Sequence, residues 1–201
     1  MNKHELFTNE LNTFANEDIK ELAKVLLDDA PDYFFKVAAS STGKYHPSYA
    51  LGDGGLMRHT KAVVRFFNHI IGIEQNSSLF TDRELDLGRT ACLIHDIQKS
   101  GDATTYAEKS NNGEKKVFTV FDHPLLAAKY VMGYKGQFLN DGELEYIASC
   151  VSSHMGEWST DKRSSIVLPK PETEMQKMVH LADYLASRKD IEMQFDASEK
   201  E

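Results

Sequence analysis

Apolar residues recur along this chain at steps of three and four with short polar interruptions, a rhythm that predicts a protein built from helices. Residues 17 to 28 place Ile19, Leu22, Ala23, Leu26 and Leu27 on one stripe, and Pro31 ends the pattern before a second short helix carrying Phe34, Phe35 and Val37. The stretch STGKYHPSYALGDGG is rich in Gly, Pro, Ser and Asp and predicts a loop that delivers Lys44 and His46 near the next helix. That helix spans about residues 55 to 71, with Leu56, His59, Val63, Phe67 and Ile70 on its core side. From Asp82 to about Lys99 another helix carries Leu85, Arg89, Cys92 and Asp96 on one stripe, with Leu87, Ala91, Ile94 and His95 beside it.

Between Thr104 and Phe121 the rhythm changes. β-Branched and aromatic residues flank Asn111-Asn112-Gly113, which predicts a small β-hairpin insert near residues 104–121. Asp122 is placed to cap the following helix and Pro124 suits its first turn, with Leu125, Ala128 and Val131 inward. Asp141 to Ser153 carries Leu144, Ile147, Ala148 and Val151 at helical spacing, so His154 falls at a helix end that Gly156 is suited to terminate. After a loop holding Trp158, Arg163 and two prolines, residues 172 to 188 predict a last helix with Met175, Met178, Val179, Ala182 and Leu185 apolar. Asp183 lies on that face, and the tail, 196–201, is expected to fray.

The 201 residues are 41% hydrophobic and 27% charged, enough for one sizeable core. No apolar run reaches the length of a membrane span, and MNKHELFTNELNTF has acidic residues and no apolar signal core. A cytoplasmic protein with no membrane partner is expected. Cys92 and Cys150 sit inside apolar patterns, spaced neither as a metal knuckle nor as a redox pair, so no disulfide is implied. A net charge of -8 argues against a broad cationic surface for long nucleic acid and favours small substrates. It leaves room for a local basic mouth built from Lys44, Lys99, Arg163 and Arg188.

The candidate chemistry centres on His95-Asp96, which closes an apolar run and is accompanied by His59, His123, His154 and Asp183. A buried ionised aspartate without a cation is costly, and a metal removes that cost. Imidazole with carboxylate suits Mn, Fe, Co, Ni or Zn, and a mixed nitrogen and oxygen shell with open positions points to catalysis. If Asp96 bridges two ions, His59, His95 and Asp183 complete one shell while His123 and His154 supply the other.

The ordered set His59, His95-Asp96, Asp183 resembles the HD superfamily of metal-dependent phosphohydrolases. GGLMRHT looks like that family's first-histidine helix, LIHDIQK like its HDIGK segment, SSHMG like a later histidine motif, and HLADYLASR like the final aspartate helix. The resemblance implies an all-α fold, a compact helical bundle forming a single domain over 1–201. Its core covers about 44–190, preceded by an N-terminal helical extension over 1–40. The extra His123 and His154 resemble the two-metal branch, which implies two divalent transition-metal ions: Mn, Fe, Co or Ni, with Mg and Zn as further candidates. The implied activity is hydrolysis of a phosphate ester or phosphodiester of a nucleotide or short oligonucleotide by metal-activated water.

Within the superfamily, KYHPSYALGDGGLMRHT and SSHMGEW resemble the HD domain of a bacterial 3'-to-5' exoribonuclease, whose OB-type domain has no counterpart in these 201 residues. That difference favours a nucleotide or short oligonucleotide over processive RNA degradation. By the same resemblance Lys99 contacts a phosphate oxygen or the leaving group; otherwise it is a lysine favoured by a helix C-terminus. His46 and Lys44 read substrate phosphate or move protons, or are solvated loop residues. Arg163 and Arg188 are further phosphate candidates, and His180 supports the shell or packs. Gln98 stands where the family usually has Gly, which keeps open a nucleotide-binding module with little turnover. A di-iron oxygenase on the same fold is the other enzyme class. An oligomer is compatible with the Phe34-Phe35 cluster, readable as core or interface.

Overall fold

The stripes legible in the sequence become helices whose ends are set by local chemistry. A computed structural model of the chain describes residues 2–40, 42–111 and 118–195. Among the described residues the α-helices are α1 (Thr8–Leu11), α2 (Glu17–Asp28), α3 (Gly55–Ile71), α4 (Glu74–Ser77), α5 (Asp82–Ile94), α6 (Ala103–Asn111), α7 (His123–Met132), α8 (Asp141–Ser152) and α9 (Glu174–Ala186). Single 3-10 turns at Lys3–Phe7, Asp32–Phe35, Ser48–Ala50 and Gly156–Trp158 join them. The fold is all-α, with one isolated antiparallel bridge, Thr160 to Val167, among the described residues.

Reciprocal capping boxes start three of the five helices that carry or lead into site residues. Thr81 with Glu84 opens α5, Asn140 with Glu143 opens α8, and Thr173 with Gln176 opens α9. Each satisfies two orphan backbone donors, and losing such a cap costs about 1 kcal/mol. The start also fixes the rotational phase at which His95, His154 and Asp183 emerge.

α5 packs against α2, α3, α8 and α9, and α7 lies on α8. The three-way junction of α3, α5 and α9 is closest at Gly88, where a Cβ would stand 2.5 Å from Met175 Sδ and 2.6 Å from Phe67 Cζ. The N-terminal segment is tied to this core by buried Asp86. One of its oxygens accepts from Ala15 N at 2.9 Å, Asn16 N at 2.7 Å and Asn16 Nδ2 at 2.8 Å, while the other pairs with Arg89 at 2.6 Å. Phe34 is fully buried against Phe7, and Phe35 packs edge-on to it, so the aromatic pair belongs to the core. Cys92 and Cys150 are free buried thiols.

Four local expectations are corrected. Residues 103–111 are helical where a first hairpin strand is expected, because Asp102 Oδ1 accepts from Thr105 N at 2.8 Å and Tyr106 packs on Tyr33 with centroids 4.4 Å apart. The middle of that insert, 112–117, and the tail, 196–201, lie outside the described residues. α5 stops at Ile94 and the chain turns through 95–100. Asp122 makes no side-chain cap, since its φ of -86° and ψ of 12° leave the extended geometry that capping uses. The inward face of α7 is Pro124, Ala127 and Val131, with Leu125 turned outward. No described helix is long and apolar enough to cross a membrane.

Candidate metal centre

Six side chains from five helical segments converge at one end of α5. His59 projects from the second turn of α3, His95 and Asp96 follow α5, His123 opens α7, His154 follows α8, and Asp183 sits in the last turn of α9. The four histidines and Asp96 are buried, while the Asp183 side chain is 18% exposed and faces a cavity.

Local turns fix the imidazole tautomers. Nδ1 of His95 donates to Cys92 O, that of His123 to Val120 O, and that of His154 to Val151 O, each at 2.8 Å. A carbonyl only accepts, so Nδ1 carries a proton in all three and each Nε2 faces inward. Burial opposes protonation of His95, but Asp96 and Asp183 outweigh it and raise the ring above its usual value. The inward nitrogens meet carboxylate oxygens. His123 Nε2 lies 3.0 Å from Asp96 Oδ1, and both atoms are buried without a hydrogen-bond partner. His154 Nε2 is 3.8 Å from the same oxygen. On the other side, His59 Nε2 is 3.1 Å from Asp183 Oδ1, 3.3 Å from His95 Nε2 and 3.7 Å from Asp96 Oδ2, and His95 Nε2 is 3.4 Å from Asp96 Oδ2.

The unpartnered, buried His123 Nε2 and Asp96 Oδ1 suit a cation between them. Two sets, His59 with His95 and Asp96, and Asp96 with His123 and His154, each bring three ligand atoms within 4.8 Å of one another. Asp96 belongs to both and offers one oxygen to each, while Asp183 stands beside the first. The donor set fits a pair of divalent ions bound by nitrogen and oxygen with positions left for substrate. The outward Nδ1 bonds are the second shell that orients such ligands.

Burial opposes ionisation of Asp96, yet the Lys99 ammonium 2.5 Å away and the His95 imidazole outweigh it and hold the carboxyl well below the usual carboxylate range. Burial also opposes ionisation of Asp183, and His59 and His95 overcome it. Burial, reinforced by His95, pushes His154 down to about 3 and keeps it neutral, the form that ligates. His46, whose ring centroid is 5.7 Å from that of His59, is likewise pushed down to about 4, by burial and then by His59 and Lys99.

The centre opens into a cavity of about 430 Å³ that Lys99, His46 and Arg188 also line. Lys44 is exposed, outside the lining, with its ammonium 4.8 Å from the Tyr45 ring centroid. Arg163 is not brought to the site: its side chain is 90% exposed, outside the lining, and pairs with Asp161 at 2.9 Å. Gln98 is buried and is not among the lining residues, so it does not stand in the path of water to the centre. Sequence reasoning missed Trp158, Tyr45 and Tyr184 as cavity residues. Tyr184 follows Asp183 directly in the last turn of α9, which was the available signal for the last of these.

His180 joins the end of α8 to α9. Its Nδ1 donates to His154 O at 2.7 Å, and its ring lies under Gly156. Gly156 has φ of 56°, and a Cβ there would stand 2.2 Å from His180 Cε1. Glycine is required on both counts.

Histidines and aspartates delivered by separate helices to the floor of one pocket define a helical protein with a candidate metal centre of the His–Asp type. The family model of the HD domain matches residues 56–188, and the chain belongs to that family. Its members are in general metal-dependent phosphohydrolases. Set against curated proteins and against solved structures, the chain has no match in either, and the likeness to an exoribonuclease HD domain rests on the quoted motifs alone.

Proposed function

We propose that this protein is a metal-dependent phosphohydrolase that cleaves a phosphate ester or phosphodiester of a nucleotide or short oligonucleotide. The observation that carries the reading is the sharing of Asp96 between two ligand triads on the floor of a cavity that also holds an ammonium. His59, His95, Asp96 and Asp183 would hold one divalent ion, and Asp96, His123 and His154 the other. When bound, the pair supplies Lewis acidity and activates water for attack at phosphorus.

The chain's own groups do the rest. Lys99 Nζ, already at Asp96 Oδ2, reaches into the cavity and would donate to a phosphate oxygen as negative charge builds there. His46 Nδ1 is buried without a partner and the ring is neutral, so it is suited to exchange a hydrogen bond or proton with the substrate. Arg188 would bind substrate at the cavity wall, and the cavity size falls in the range of about 300–1,000 Å³ usual for small-molecule sites. We read the chain as one domain, because the N-terminal segment shares its core through Asp86 and Phe7.

The test couples elemental analysis to a product-mass screen of nucleotides, cyclic dinucleotides and short RNA with added Mn. About two transition-metal ions per chain are expected, with turnover of one substrate class. Asp96→Ala is expected to lose the metal and nearly all activity. Equal metal content and equal rate in that variant would sink the assignment.

A further inference from the structure

One wall of the cavity is aromatic, and the phosphoryl chemistry makes no use of it. Trp158, the only tryptophan in the chain, follows the His154 turn and keeps 49% of its surface exposed although it lines the cavity. Its ring runs parallel to that of Tyr184 at 17°, with centroids 5.9 Å apart, and Tyr184 is itself 37% exposed. Large flat apolar faces left open beside a polar centre mark a surface meant to be covered.

Arg188 completes this wall. It lies just past the end of α9, four residues after Tyr184, with its guanidinium 4.3 Å from the Tyr184 centroid and 5.9 Å from that of Trp158. It pairs with no carboxylate among the described residues, and its Nε is buried without a hydrogen-bond partner. Stacking fixes the plane of this cation while its donors stay unspent. The same cavity wall therefore offers a π-face and a fork of unused N–H groups, a short way from the carboxylates of Asp96 and Asp183.

We infer that Trp158, Tyr184 and Arg188 form a nucleobase subsite, so that the ligand of this cavity is a nucleoside phosphate whose base stacks on Trp158. A nucleobase combines a π-face with edge acceptors that a guanidinium can bond. A sugar phosphate or an aliphatic phosphate offers no such face. The placement of the phosphate toward Asp96 and Lys99 rests on the hydrolase reading; the stacking does not.

The single tryptophan makes the test direct. GMP, AMP, UMP and ribose 5-phosphate are titrated into chelator-treated protein while Trp158 emission is followed. The nucleotides are expected to quench it and ribose 5-phosphate to leave it unchanged. By equilibrium dialysis, Trp158→Leu is expected to weaken nucleotide binding about fivefold or more, while Trp158→Phe retains most of it. Thermal melting of both variants checks the fold, and Arg188→Gln in the otherwise intact chain provides a second, fluorescent variant with weakened quenching. Unchanged emission at saturating nucleotide, or nucleotide binding by Trp158→Leu equal to that of wild type, would overturn the inference. Turnover of ribose 5-phosphate with no nucleotide bound leaves the hydrolase reading standing and removes the subsite. Quenching by nucleotides with no turnover of any phosphate ester does the reverse.

Discussion

Gly156→Ala tests how the turn that carries His154 is held. Keeping a non-glycine residue at φ of 56° costs about 1–2 kcal/mol. The new methyl would also stand 2.2 Å from His180 Cε1, 2.5 Å from Nε2 and 2.6 Å from Nδ1, so the ring must move. It is not free to move, because Nδ1 is bonded to His154 O and Trp158 lies on its other side with centroids 6.3 Å apart. Overpacking of this kind costs about 1–3 kcal/mol, which brings the single substitution to about 2–5 kcal/mol. In a His180→Ala background the collision disappears and only the dihedral cost remains. A double-mutant cycle by urea unfolding should therefore show a coupling of about 1–3 kcal/mol between the two positions. Metal affinity, measured in parallel, should fall about 10- to 100-fold in Gly156→Ala as His154 shifts. Additivity within about 0.5 kcal/mol would refute the claim that the glycine exists to clear the His180 ring.

Further perturbations separate chemistry, protonation and scaffold. Lys99→Ala should retain its metal by elemental analysis and lose about 100-fold or more in kcat; an unchanged kcat would remove Lys99 from the reaction. His154 has a folded value of about 3, below its ordinary 6.5, so unfolding takes up a proton between these limits. This contribution is complete above about pH 6.5 and is lost as pH falls toward the folded value, by about 1.4 kcal/mol per pH unit. In chelator, wild type should lose stability more steeply than His154→Gln between about pH 6 and pH 4, whereas parallel profiles would contradict a buried neutral imidazole. Asp86→Ala should cost about 3–5 kcal/mol in urea unfolding, since it strands Arg89 and the Ala15 and Asn16 amides; a loss below about 1 kcal/mol would show that the N-terminal segment is held by packing alone.

The helical stripes were legible because burial on one face imposes a 3.6-residue period, and α2, α3 and α8 begin where that spacing places them. The candidate metal ligands were legible because each is a polar residue on an apolar stripe or at a helix end. The stretch over 103–111 was not, since Thr104, Thr105 and Tyr106 favour strands locally while the Asp102 side chain and the Tyr33 ring decide the outcome. Arg163 was read as a mouth residue although Asp161, two positions earlier, was available to absorb it. The wall formed by Trp158 and Tyr184 joins two distant segments, and only the packing of α9 against the turn after α8 reveals it. Neither Ala15 nor Asn16 advertised in sequence that Asp86 would bind them.

The three Nδ1-to-carbonyl bonds run within a span of four residues each, so which nitrogen faces the cluster is set in each of those histidines by its own turn. Each such residue carries its own tautomer with it. Helices can slide or tilt by small amounts during sequence drift and still turn the same ring nitrogen toward the cluster. If the cluster holds two ions as proposed, a substitution at His123 or His154 would break one ligand group and leave Asp96 with His59 and His95.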